Sequence, residues 1–158
     1  MLPRMLFVLV LAVIADDAAA QSKLPKCPGA YNEATWTNCF GELTRPSGLK
    51  FAAEFRNGKP NGQGTVLFPN GDKYTGELKE GTQHGKGELT WTTPGGRVSY
   101  VGNWSEGEMH GSGTWTSPDS KYVGQFLKGK RHGHGTEYRA DGSVLRSGTW
   151  QNGDFVKP

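Results

Sequence analysis

Residues 74–79 read YTGELK, with apolar or small residues at alternate positions and polar residues between them. A two-residue period is that of a half-buried β-strand. Residues 80–84 contain Gly81 and predict a tight turn. Residues 85–91, GKGELTW, alternate again in the same sense, and Pro94, Gly95 and Gly96 close the segment. The pattern predicts two short antiparallel strands per copy, with comparable turn chemistry at Pro69-Asn70-Gly71 and Asp141-Gly142.

The same stretch, residues 74–87, recurs at residues 100–113 (YVGNWSEGEMHGSG) and 122–135 (YVGQFLKGKRHGHG), and more loosely at 51–64 (FAAEFRNGKPNGQG). A fixed period decides architecture before any local assignment does. Residues 39–51 align without a gap on residues 62–74, so Cys39 takes the place of the first glycine of a G-x-G pair. Length differences fall between the G-x-G strand and the next aromatic, which marks that connection as a tolerant loop. The expected organisation is a lead segment at 21–38, an all-β array of hairpins at 39–153, and a short tail at 154–158.

Alternation also assigns faces. One collects Phe51, Phe55, Val66, Phe68, Tyr74, Leu78, Leu89, Trp91, Tyr100, Trp104, Trp115, Tyr122, Phe126 and Trp150; the other collects Glu77, Lys79, Lys86, Glu88 and their equivalents. The glycine pairs Gly62/Gly64, Gly85/Gly87, Gly111/Gly113 and Gly133/Gly135 lie beside the rings. Glycine weakens a strand unless something covers its bare backbone. A ring laid across the glycines of the next strand would do so, and this is the expected packing unit. Glu137 stands where Val66 and Leu89 stand in earlier copies, which predicts a looser or edge-exposed fourth copy.

The pattern Y-x-G-x-[FWL]-x-x-G-x-x-[HN]-G-x-G resembles the MORN (membrane occupation and recognition nexus) repeat, over residues 39–153. The resemblance implies a single elongated, twisted antiparallel sheet of hairpins. It also implies scaffolding, partner binding or membrane association rather than catalysis by the repeats. The phosphate-loop motif and the kinase signature set are absent from the sequence, so kinase activity is rejected.

Residues 1–20 carry Arg4, the apolar run LFVLVLAVIA and three alanines at 18–20, the pattern of a cleaved secretory signal peptide. Export to a periplasm or the cell exterior is therefore expected. Cys27 and Cys39 are the only cysteines, and an even count in an exported chain predicts a disulfide. Redox catalysis or metal binding is the alternative, which the spacing disfavours because it is not C-x-x-C. The bridge would staple the lead segment to the first strand, where a sheet edge most needs cover.

Composition narrows the function. Only 34% of the 158 residues are hydrophobic and 11% are aromatic, which suits a thin, ring-lined sheet. A net charge of +3 with interspersed signs gives no footprint for nucleic acid. His84, His110 and His132 share a column, but equivalent residues two strands apart stand about 9–10 Å from one another, too far for one metal ion. These histidines are expected to serve the turns. Glu54 and Glu77 share another column on an open polar face, which reads as solvated rather than catalytic. No cofactor or catalytic residue is assigned.

A single-layer sheet leaves some rings accessible, and an exposed apolar patch marks a binding surface. The candidate groove comprises Phe51, Phe55, Tyr74, Trp91, Tyr100, Trp104, Trp115, Tyr122, Phe126 and Trp150. Its expected occupant is a protein or cell-envelope component. The alternative is a lipid surface, met by the basic turn Lys128, Lys130, Arg131 and His132. An enzyme acting on envelope polymers is a remote third. Open sheet edges permit oligomers.

Overall fold

In a computed structural model, residues 22–158 are described. The expected signal peptide lies outside them. Among the described residues every regular element is a β-strand, and the hydrogen-bonded order follows the chain from β1 to β11 without a crossover, as an open antiparallel sheet of hairpins. The chain divides into two compact units, Met1–Thr82 and Gln83–Pro158, taken here in turn.

The first unit holds β1 (Cys39–Thr44), β2 (Lys50–Arg56), β3 (Lys59–Leu67) and β4 (Lys73–Lys79). Cys27 and Cys39 are bridged, as the sequence predicts, and the lead segment adds one parallel rung, Lys26 to Phe40. Trp36, in the lead segment, is buried. Its ring covers Gly41, where an added Cβ would stand 2.5 Å from the indole carbons. Its edge meets Phe55, with centroids 4.8 Å apart.

The second unit holds most of β5 (Thr82–Thr93), then β6 (Gly96–Ser105), β7 (Glu108–Thr116), β8 (Ser120–Leu127), β9 (Lys130–Arg139), β10 (Val144–Gln151) and β11 (Asp154–Lys157). The segment 154–158, read from sequence as a tail, thus contributes a last strand. It pairs with β10, and Phe155 sets its ring against Trp150 at 5.3 Å. Four residues are too few for a period to announce themselves in sequence.

The hairpin turns are tighter than the sequence suggests. The β2–β3, β4–β5, β6–β7, β8–β9 and β10–β11 turns have two residues each, as in Glu80-Gly81, and β5 already begins at Thr82. Asn57, Glu80, Glu106, Lys128 and Asn152 all sit at φ of 50–53°, each followed by a positive-φ glycine. Two successive left-handed residues make the turn whose twist matches that of its strands. Glycine in second place bears this backbone at no steric cost. Its N–H then reaches the start of a strand in the preceding hairpin: Gly81 donates to the Pro60 carbonyl at 2.7 Å, Gly107 to Gln83 at 3.0 Å and Gly129 to Met109 at 3.0 Å. In the first hairpin Gly58 donates instead to Trp36, at 2.8 Å, so the lead segment substitutes for a missing repeat.

Candidate functional site

The strand register draws small residues, glycines except for Ala53, into a row along the strands of each unit. In the first unit Gly41 pairs with Ala53, Ala53 with Gly64, and Gly64 with Gly76. In the second, Gly87, Gly102, Gly113, Gly124, Gly135 and Gly148 pair successively. A tyrosine two residues before a row glycine lies back across it and across its partner. A Cβ at Gly102 would stand 2.5 Å from the Tyr100 hydroxyl, and one at Gly113 would overlap the same ring. Tyr122 covers Gly124 and Gly135 likewise.

The hydroxyl explains why these rings are tyrosines. Each donates to the carbonyl three residues on: Tyr74 to Glu77 at 2.7 Å, Tyr100 to Asn103 at 2.9 Å, Tyr122 to Gln125 at 3.1 Å. The tryptophan anchors reach to the neighbouring strand, with Trp104 Nε1 donating to the Gly87 carbonyl and Trp150 Nε1 to Gly135. In the second unit the rings run edge to face, Trp104 to Tyr100 to Phe126 to Tyr122 to Trp150, with centroids 4.9–5.2 Å apart. Burial pushes the Tyr100 pKa up to about 12 and raises that of Tyr122, against the opposing pull of Arg131.

Ring-over-glycine packing holds for Gly113 and Gly135, the second glycines of the last two pairs, and extends to the glycine of the tyrosine's own strand, whereas a Cβ at Gly64 would meet Ala53 and Leu78 instead. The first glycine does something else. Gly62, Gly111 and Gly133 take φ of 118°, 61° and 61°, and the pairing jumps from Gly102–Gly113 to Asn103–His110. Such a skip is a β-bulge, which a left-handed glycine accommodates. The polar column read as solvated serves this bulge. Glu54 accepts from the Gln63 N–H at 3.1 Å, Gln125 from the His134 N–H at 3.2 Å, and Asn103 donates to the Ser112 carbonyl at 3.1 Å. His84, His110 and His132 lie within strands at these bulges, not in the turns. Among the described residues no three His, Cys, Asp or Glu side chains are grouped to hold a metal ion.

Of the ten candidate groove residues, Phe51, Phe55, Tyr74, Tyr100, Trp104, Tyr122, Phe126 and Trp150 are buried. They form the core. Trp91 and Trp115, both in the second unit, are only half-buried. The physical reason is the glycine row: with no side chains beneath, the rings drop onto the backbone and shield one another.

The fourth copy is not loose. Glu137 is buried, and Arg131 Nη1 and Arg146 Nε hold its two oxygens at 2.8 and 2.6 Å. Arg131 also lies over Trp115, Tyr122 and Trp150, 4.9–5.2 Å from their centroids, and Arg146 lies over Trp150 and Phe155. Desolvation pulls the Glu137 pKa upward, but the two guanidiniums outweigh it and hold the carboxyl below its ordinary value. Arg131 is therefore committed to the core and is withdrawn from the basic turn. Sequence carried a signal for this cluster: Arg131 occupies the place of Met109, and Arg146 that of the column aromatic.

A comparison with curated proteins found no match. The MORN repeat family profile matches residues 51–73, 74–93, 100–121 and 122–144, in register with the hairpins. The chain belongs to the MORN repeat family.

Proposed function

We propose that this is an exported, non-catalytic repeat scaffold that holds a protein or cell-envelope component against the ring face of its second unit. One observation carries the reading: Trp91 and Trp115 are only half-buried while the neighbouring rings are buried. Tryptophan on a pre-ordered surface presents a large contact area at low entropic cost. The Cys27–Cys39 bridge supports an oxidising destination, since such bonds persist there. The family's repeats build scaffolds, and the side chains described above serve bulges and core.

Photo-crosslinking in intact cells tests this, with the crosslinker placed at Thr93, on the same face as Trp91, in wild type and in Trp91→Ala and Trp115→Ala variants. The expected result is a discrete envelope adduct that both variants lose while their melting temperatures stay near wild type. An adduct indifferent to both tryptophans, or a chain retained in the cytoplasm, overturns it.

A further inference from the structure

A second surface lies in the first unit, independent of the ring face. Arg45 donates its N–H to the Leu49 carbonyl at 2.9 Å, which fixes the hydrogen-bonding phase of β1. Gly41 and Leu43 then point their backbone groups at β2, and Phe40, Glu42 and Thr44 point theirs outward. The lead segment uses only the first of these. Phe40 donates to Pro25 and accepts from Cys27, both at 2.7 Å. At Gly29, with φ of 57°, the lead segment turns away. Glu42 and Thr44 are exposed.

Where the lead segment leaves the edge, a cavity of about 490 Å³ opens beside Gly41 and Glu42. Tyr31, Trp36, Leu24 and the Cys27 bridge give it apolar walls, and Lys26 and Glu42 mark its polar rim. The walls are ordered before any ligand arrives. Trp36 Nε1 donates to the Pro28 carbonyl at 3.0 Å, and the Tyr31 hydroxyl donates to Gly58 at 2.9 Å. Tyr31 keeps 42% of its surface exposed.

We infer that the β1 edge is a docking site for an extended polypeptide segment of a partner protein, which continues the Lys26–Phe40 rung along Glu42 and Thr44. Its backbone supplies the partners those two residues present outward. One aromatic or branched apolar side chain fills the cavity against Tyr31 and Trp36. The existing rung is the beginning of this interface, and strand addition is the mode that backbone geometry of this kind supports.

The phase of β1 supplies a clean test. The Glu42 N–H faces away from β2, so Glu42→Pro removes an edge donor without removing a ladder bond. The probe is an acetylated, amidated heptapeptide of alternating threonine and valine with tyrosine at its centre, titrated by calorimetry into the full mature chain. Wild type and Glu42→Ala are expected to bind alike, and Glu42→Pro about tenfold more weakly. A peptide with central glycine should also bind more weakly. No binding by wild type up to about 1 mM, or equal binding by Glu42→Pro, overturns the inference. If Glu42→Pro does not fold, peptides N-methylated at alternate positions in both registers decide: binding undiminished in both overturns it. Sedimentation that shows a second copy occupying the edge reassigns the site and also overturns it.

Discussion

Tyr122 lies across Gly135 of the neighbouring strand so closely that a single added methyl group there would overlap its hydroxyl. The same ring covers Gly124 and keeps its own hydroxyl on the Gln125 carbonyl. Side chain, bare backbone and hydrogen bond form one unit, and the sheet repeats it.

Gly135→Ala is therefore expected to destabilise the protein by about 2–3 kcal/mol, the cost of forcing a buried ring off its seat. Gly142→Ala is the comparison. Its φ is 83° but a Cβ there meets no atom within 4 Å, so only backbone strain of about 1 kcal/mol is expected. Urea midpoints for the two variants check the difference, and equal losses would remove the special role of the covered glycine.

Tyr100→Phe keeps the ring and deletes the bond to Asn103, for an expected loss of about 1–2 kcal/mol. Burial raises the Tyr100 pKa to about 12. The folded value stands above the unfolded one of about 10. Its contribution is thus full below pH of about 10 and is lost as pH rises toward the folded value. Stability measured against alkaline pH should fall more steeply in wild type than in Tyr100→Phe, with tyrosinate absorbance appearing as the fold is lost.

Much of this unit is legible in sequence, because the period of the strands and that of the repeats both survive in the letters. Tyr100 and Gly113 are recognisable as a packed pair from their columns alone. The bulge at Gly111 is not, since the skip of Gly111 and Ser112 changes which backbone groups pair without disturbing the motif's spacing. Trp36 lies in a stretch with no register. Its task was hinted at only by Gly41, which aligns on the second glycine of a pair but has no preceding repeat to supply a covering ring. The burial of eight candidate groove rings was hidden for a related reason: alternation tells which face a ring takes, but not that bare backbone lets it sink.

The Cys27–Cys39 bridge closes a loop with a sequence separation of 12. In the chain-entropy account such a loop stabilises by about 3 kcal/mol. More depends on it here than loop entropy, since the lead segment carries the ring over Gly41 and the acceptor for the Gly58 N–H. Reduction is expected to lower the melting temperature and release Trp36 to solvent, with a red-shifted fluorescence component that Trp36→Phe lacks. A reduced protein with unchanged melting and emission would show that the lead segment holds without its staple.

Glu137 tests whether charge is needed in the column at all. Glu137→Leu leaves Arg131 packed among three rings without its carboxylate. Arg146, with 44% of its side chain exposed, can turn to water. The expected loss is about 2 kcal/mol, below the usual cost of breaking a fully buried pair because one partner is half solvated. Because its folded pKa is depressed, the native carboxylate contributes above the ordinary Glu pKa and its contribution fades as pH falls through the folded value. Wild type should therefore weaken more than Glu137→Leu on acidification. Earlier copies hold Leu89 and Met109 at the places of Glu137 and Arg131. The double variant Glu137→Leu/Arg131→Met combines these two apolar residues, which come from different copies, and is expected to recover to within about 1 kcal/mol of wild type, since well-packed apolar replacements of buried ion pairs are commonly neutral. Equilibrium unfolding of the four proteins, wild type, both single variants and the double, gives the coupling between the two positions directly. Additive losses would mean that the ion pair and the ring stack stabilise the fourth copy independently.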